Sequence, residues 1–243
     1  MFHSAKISNK ASLGQCRPGG PKPAPLKFLP LTQSAVPSYA PRRKHPYETR
    51  HVAAEDMILT KLASEPSELA GILALQTMNL RKNLSETEAA QQGFLIAEYG
   101  PDYLSLLNQS QPSVIALDGD RVVGYALVAT QAVRDGHPLL ADLFHQIDQL
   151  HFKGEPLKGA NYVVVAQLCV AKEYRGIGLV GRLYGHFRDS LQTHYRYTVT
   201  DIAKPNQRSL QAHLKTGFQV IHSINFEGLE WNVVLWDWTA HGS

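Results

Sequence analysis

The sequence predicts one α+β or α/β domain on a mixed sheet, over residues 57–243, behind a basic, proline-rich tail. Three observations carry that expectation. From residue 57 onward, period-two and period-3.6 apolar patterns alternate along the chain with no internal repeat. One run, Tyr162–Ala171, is apolar except for Gln167, as a central strand buried on both faces requires. And eight of the fourteen prolines fall in residues 1–56, where no apolar periodicity exists.

Met57–Ala63 reads as a strand, and Pro66–Leu80 as a helix with Leu69, Ile72, Leu73 and Leu80 on its apolar side. Ser85-Glu-Thr-Glu88 is a capping-box pattern, so a short helix starts there. Ser113–Leu117 and Val122–Thr130 flank Asp118-Gly119-Asp120, a hairpin signal because glycine tolerates the positive φ of a tight turn. A helix over Pro138–Leu150 leads to the buried strand Tyr162–Ala171. In Gly178–Thr193, Leu179, Leu183, Phe187 and Leu191 recur at i+4 steps opposite Arg182, Arg188 and Asp189, which is an amphipathic helix. A strand at Tyr197–Ile202, a helix over Asn206–Lys215, and strands at Phe218–Ile224 and Glu230–Trp238 complete the order β–α–α–β–β–α–β–α–β–α–β–β.

Composition narrows the function classes. The chain has 243 residues, 44% hydrophobic, enough for a sizeable core. No stretch approaches the ~18–20 apolar residues of a membrane helix. Cys16 and Cys169 lie far apart, which excludes a disulfide scaffold or a zinc ribbon, and eleven histidines include no HExxH, so no metal is expected. Residues 1–56 hold nine basic against three acidic residues, whereas 57–243 holds 15 basic against 18 acidic. The basicity therefore belongs to the tail, and the slightly acidic domain argues against a nucleic-acid surface. The tail reads as disordered, because proline removes donors and fixes φ. Three roles compete for it: a transit peptide, a contact of Arg42-Arg43-Lys44 with nucleic acid or an acidic membrane, and a dispensable extension before a domain starting at Met57. The last is favoured. Expected localisation is cytoplasmic, with organelle targeting by the tail as the alternative.

The most informative stretch joins the buried strand to the amphipathic helix: Lys172-Glu-Tyr-Arg175-Gly176-Ile177-Gly178-Leu179-Val180-Gly181. Glycines at a strand-to-helix turn let backbone N–H groups converge, and the helix N-terminus adds roughly half a positive charge. Together they suit a phosphate or pyrophosphate, with Arg175 as an added cation. The P-loop GxxxxGK[ST] is absent, and although Gly176, Gly178 and Gly181 spell GxGxxG, that dinucleotide fingerprint usually opens the first βα unit, whereas this turn lies late in the chain.

The stretch Arg175-Gly176-Ile177-Gly178-Leu179-Val180 resembles the acyl-CoA-binding motif R/Q-x-x-G-x-G/A of the GNAT acetyltransferases, with Val180 where Gly or Ala is usual. A second segment, Asn206-Gln-Arg-Ser209-Leu-Gln-Ala-His213-Leu-Lys-Thr-Gly217-Phe218, is similar to the family's N-x-x-A/S-x-x-x-Y-x-x-x-G-F, with His213 where Tyr is commoner. Gln167-Leu-Cys-Val170 and Trp231–Trp238 resemble stretches of uncharacterised bacterial members. The resemblance covers about 57–238. It implies a mixed, mostly antiparallel central sheet with helices on both faces, and acetyl-CoA as co-substrate. It also implies that backbone groups of Leu168 and Val170 pair with pantetheine, that the amides of Arg175, Gly176, Ile177, Gly178, Leu179 and Val180 hold the pyrophosphate, and that Asn206 steadies the cofactor or caps its helix.

The implied reaction is direct attack of a primary amine on the acetyl thioester, the acceptor being a small molecule or a peptide. An ammonium with pKa near ~10 must first lose a proton, so a general base is expected, with Asp201 and Glu98 as candidates. His213, in the Tyr position, is the candidate acid for the leaving thiolate. Cys169 reads as a small core residue, and Gln167 either orients substrate or satisfies a loop carbonyl. Acceptor walls are expected from the first helices and the 136–158 insertion, through Leu139, Phe144, His145, Asp148 and His151. A second copy of the chain is the remaining partner considered. Two other function classes stay open: a non-catalytic acyl-CoA sensor, and a nucleic-acid-associated protein acting through its tail.

Overall fold

The computed structural model describes residues 58–226 and 228–241. The readings of residues 1–56 and of Met57 lie outside the described residues. In chain order the elements are β1 (Ile58–Leu62), α1 (Pro66–Asn79), α2 (Glu86–Gln92), α3 (Pro101–Ser110), β2 (Val114–Asp118), β3 (Arg121–Ala129), α4 (Pro138–Ile147), β4 (His151–Phe152), β5 (Glu155–Pro156), β6 (Tyr162–Val170), α5 (Leu179–Leu191), β7 (Tyr197–Ala203), α6 (Gln207–Thr216), β8 (Gln219–Phe226) and β9 (Leu229–Asp237).

The helix starts follow their local chemistry. Proline opens α1, α3 and α4, where its missing N–H costs nothing. The Ser85 hydroxyl accepts from the Glu88 amide at 3.2 Å, and the Asn206 side chain accepts from the Ser209 amide at 3.4 Å. The sequence reading left α3 and the small β4–β5 hairpin unassigned. In α3 only Leu104 and Leu107 are buried, too sparse a pattern to stand out.

Seven strands form one sheet in the order β1-β2-β3-β6-β7-β9-β8. Every neighbouring pair is antiparallel except β6–β7. Along β3, every residue from Val122 to Ala129 is buried, so both sheet faces are covered. α1 and α3 pack on β3 and on each other, while α5 packs on β1, β2 and β3 and on α6. On α1 the buried face includes Glu68, Ile72, Leu75, Gln76 and Asn79. Leu69 and Leu73, expected inside, are only half-buried, because the polar members of that face take the inner positions to make bonds. Glu68 accepts from the Ser64 and Glu65 amides, Gln76 Nε2 donates to the Tyr99 carbonyl, and Asn79 Oδ1 accepts from Arg175.

Candidate active site

The site begins where the two parallel strands part. β6 and β7 pair only over Tyr162–Val164 and Tyr197–Val199, and then both run on unpaired with each other. A β-bulge explains the parting: the β3–β6 register passes from Gln167 to Val165, leaving Ala166 as an extra residue that bends β6. The Ala166 carbonyl accepts from the Tyr99 hydroxyl at 3.0 Å, and the Thr200 hydroxyl donates to the Val165 carbonyl at 2.8 Å. The cleft is thus pinned open at its base.

Beyond the bulge, alternation decides which backbone groups face the cleft. The Ala171 amide donates to the Val123 carbonyl at 2.8 Å, so Cys169 and Gln167 share the ladder with β3. Leu168 and Val170 then direct their N–H and C=O groups away from β3, toward the opened side. One of these four groups is already engaged, since the Val170 carbonyl accepts from Arg175 Nε at 2.9 Å.

The cleft continues into a groove of about 640 Å³ lined by β6, the 175–181 turn and α6. Gly178, the N-cap of α5, has φ +79° and no capping side chain, which leaves the first amides of α5 open. Gly176 has φ +88°, and a Cβ at either glycine would project into empty space rather than into protein. The turn is therefore a cradle that side chains would fill. On α6, Arg208, Gln211, Ala212 and Lys215 line the opposite wall, and their i, i+3, i+4, i+7 spacing puts them on one helix face. Sequence reasoning missed Arg208 and Lys215 as groove cations, although this spacing was there to be read.

Arg175 has a different task from the one expected of its side chain. Nη2 donates to Asn79 Oδ1 at 2.6 Å, Nη1 donates to the Gln92 carbonyl at 3.0 Å, and Nε holds Val170. The guanidinium ties β6, α1 and the end of α2 together. The Arg175 amide, expected to face the pyrophosphate, donates to the Lys172 carbonyl at 3.3 Å because it closes the short helical turn before the glycines. Burial lowers its pKa from the ordinary arginine value.

Next to the groove lies a smaller chamber of about 100 Å³, and the two share Phe94, Leu95, Leu168, Asn206 and Ser209. Residues 94–97, between α2 and α3, wall both spaces. Four side chains fasten this segment: Asn206 Nδ2 donates to the Phe94 carbonyl at 2.9 Å, Gln167 Nε2 to the Ala97 carbonyl at 2.8 Å, and Gln76 and Arg175 hold its two flanks. Gly93 is required at its start, since φ is +76° and a Cβ would sit 2.9 Å from Asn206 Oδ1. Gln167 accordingly satisfies a loop carbonyl, and it accepts from the Tyr125 hydroxyl at 2.6 Å. Asn206 is both cap and loop anchor.

Asp201, near the end of β7, lines the chamber. Desolvation, with the nearby Asp142 charge adding to it, raises its carboxyl to about 7. Glu98 stands elsewhere, exposed and paired with Lys82. His213 also lines the chamber but is not arranged as an acid. Its Nδ1–H donates to the Ser209 carbonyl at 2.8 Å, so Nε2 is left to accept from the buried Tyr184 hydroxyl at 2.6 Å. Burial lowers its pKa to about 4, and the ring is neutral at physiological pH. The Cys169 thiol is pushed up to about 12 by burial, as befits a core residue. From the insertion, α4 does wall the chamber, through Leu139, Leu140 and Leu143. Phe144 instead lies in the core, Asp148 bonds Arg134 and Tyr162, and His145 and His151 are exposed.

Among the described residues, no helix is long and apolar enough to cross a membrane, and no group of three or more His, Cys, Asp or Glu is placed to hold a metal ion. No curated protein matches the chain. Solved structures do. One is a chain of the NatC complex bound to Gag peptide and CoA, 14% identical, covering 74% of this chain and 98% of that one with a TM-score of 0.50. Another is a GNAT-family acetyltransferase from Streptococcus agalactiae, 16% identical, covering 74% and 95% with a TM-score of 0.50. At such identities the likeness concerns the fold. The profile of the acetyltransferase (GNAT) family matches residues 78–218, which span the parted strands, the glycine turn and α6. The chain is a member of the GNAT acetyltransferase family.

Proposed function

We propose that the protein transfers an acetyl group from acetyl-CoA to a primary amine held in the chamber, with Asp201 as general base. The observation that carries this reading is the position of Asp201, a carboxylate raised to about 7 in a chamber that opens at Leu168 onto a groove ending in an anion cradle. The groove's chemistry fits acetyl-CoA: the open amides of α5 suit a pyrophosphate, the Leu168 and Val170 backbone suits amide partners, and Arg208 and Lys215 add positive charge. The similar NatC structure was solved with CoA bound, which accords with this assignment.

Acetyl-CoA supplies a thioester carbonyl carbon at the junction of the two spaces. Asp201 takes a proton from the incoming ammonium, and the neutral nitrogen forms the new C–N bond as the C–S bond breaks. A carboxyl near 7 is about half ionised at neutral pH, which suits a base that must accept and then release a proton. Nitrogen loses two protons in all, one to Asp201 before attack and one as the C–N bond forms; one ends on the departing sulfur and the other passes through Asp201 to solvent. Since a thiol of pKa near ~8.5 leaves readily as thiolate, no dedicated acid is needed, in keeping with a neutral, fully bonded His213.

The test is an acetyl-CoA consumption screen against alkylamines, amino acids, polyamines, aminoglycosides and peptide N-termini. Turnover of at least one class, lost in Asp201→Asn with CoA-induced stabilisation kept, is the expected result. Tight CoA binding without turnover of any amine would leave an acyl-CoA-binding module in place of an enzyme.

A further inference from the structure

Among the described residues, four buried side-chain nitrogen or oxygen atoms have no hydrogen-bond partner, and of these only Trp231 Nε1 belongs to a residue lining the chamber. Three neighbouring donors are already engaged. The Tyr99 hydroxyl donates to the Ala166 carbonyl, the Thr200 hydroxyl to the Val165 carbonyl, and His213 is bonded at both nitrogens. The sheet register sets where the indole stands. Asp201 lies opposite Val233 and Ala203 opposite Trp231, so Asp201, Ala203 and Trp231 share one face of the β7–β9 pair. Trp231 is thus the diagonal neighbour of Asp201, at a separation of about 7–8 Å that aromatic side chains span. Ala203, directly opposite Trp231, contributes only a methyl group and lines the chamber with them.

An indole N–H can only donate, and left buried without a partner it carries a desolvation cost that an accepting ligand atom relieves. From this pairing of one open donor with one carboxylate we infer that Trp231 selects the acceptor, its Nε1–H donating to an oxygen of the bound amine. The acceptor is then a primary amine with a hydrogen-bond-accepting oxygen a few atoms from nitrogen, as in an amino ether, an amino alcohol or an α-amino amide, rather than a plain alkylamine. The inference rests on the acetyl-transfer reading above and narrows its substrate. Asp201 takes the ammonium end, and Trp231, on the next strand, takes the oxygen. A hydrocarbon in the oxygen's place would leave the N–H unpaired, the situation in which a site rejects an analogue lacking the polar group. A second ammonium would gain nothing from the indole, which offers it no lone pair.

The experiment uses the full chain and measures kcat/KM for pairs of amines alike in size, one with an oxygen and one without: ω-methoxyalkylamines against n-alkylamines, and glycinamide against isobutylamine. Within at least one pair the oxygen-bearing amine should be favoured about tenfold or more. Trp231→Phe removes the N–H, keeps an aromatic ring and breaks no hydrogen bond of that nitrogen to the described residues. It should bring the favoured pair to within about threefold of parity and leave CoA-induced stabilisation as it was. A ratio near one in every pair, or a preference for the hydrocarbon, would overturn this inference while leaving acetyl transfer standing. So would a preference that survives in Trp231→Phe, which gives the oxygen to another donor, or an equal loss for both members of a pair, which puts the N–H on the thioester carbonyl common to both. No turnover with any amine would overturn the acetyl-transfer reading and this inference with it. A second measurement needs only the unmodified protein: with CoA present, one of the three tryptophan indole N–H resonances should shift on adding the methoxyalkylamine and hold still on adding its isostere. Indole resonances that respond alike to both would overturn the inference even if the variant does not fold.

Discussion

The groove and the chamber share five residues and are built on opposite principles. One wall of the groove is made of backbone, with glycine amides, an uncapped helix start and strand groups exposed by a bulge, and its α6 wall presents polar side chains such as Arg208 and Lys215. The chamber is made of side chains gathered from residues 94–97, α4, β6, β7, α6 and β9, including that of Trp231, whose buried Nε1–H has no partner among the described residues. On the proposed assignment the carrier is met by main-chain geometry, which tolerates sequence change at neighbouring positions. Val180, standing where Gly or Ala is usual, illustrates that tolerance, because an amide is present whatever the side chain. On the same proposal the acceptor is met by side chains.

The comparison can be broken most forcefully at Asp201. Asp201→Asn should lower kcat by about 10²–10⁴-fold, the usual worth of a general base, without altering the rise in Tm produced by CoA. In the unsubstituted protein, activity should climb with pH through about 7 as the carboxyl ionises. Stability moves the other way. A folded pKa raised above its unfolded value gives stability that is complete below about 4 and lost as pH rises through about 7. The Asn variant should therefore melt above the parent at pH 8 and alongside it near pH 4. A loss of the CoA shift in this variant would mean that groove and chamber are not separable.

Arg175→Ala tests the groove from its structural side. Removing the guanidinium leaves Asn79 Oδ1 and the carbonyls of Val170 and Gln92 without their donor. Stability should fall by about 3 kcal/mol, the order expected when buried acceptors lose a charged donor. Denaturant unfolding measures this directly, and an unchanged midpoint would show that the clamp is dispensable.

Gly178→Ala should act mainly on binding. An L-residue at φ +79° costs about 1–2 kcal/mol, and the new methyl enters the cradle itself. The CoA-induced Tm shift should fall by most of its size, whereas kcat at saturating acetyl-CoA changes little. Retention of the full shift would remove the pyrophosphate from this turn.

The smallest effect is expected at His213. Its folded pKa, lowered to about 4 from 6.5, gives stability that is present above 6.5 and lost as pH falls through 4. His213→Phe should erase that acid-side loss, cost about 1–2 kcal/mol at neutral pH by orphaning the Tyr184 hydroxyl and the Ser209 carbonyl, and leave the alkaline side of the rate profile where it was. An alkaline limb that moves would restore His213 as the acid.

By itself the sequence determined the seven strands of the main sheet, among them the buried β6, every α-helix but α3, and the glycine turn. Each of these depends on neighbours a few residues away: alternation, i+4 spacing, caps, and positive φ at glycine. The seven-residue spacing of Arg208 and Lys215 belongs to the same class. What tertiary structure decided is who meets whom across long separations. Arg175 reads as a phosphate cation in its motif, yet Asn79, 96 positions away, claims it. His213 stands in the place of a tyrosine acid, yet Tyr184 and burial make it neutral. Asp201 is an ordinary carboxylate in sequence, and its carboxyl rises to about 7 only because the fold removes its water and, among the described residues, gives it no ion pair. Desolvation and partner choice are properties of a packed interior, and no local pattern encodes them.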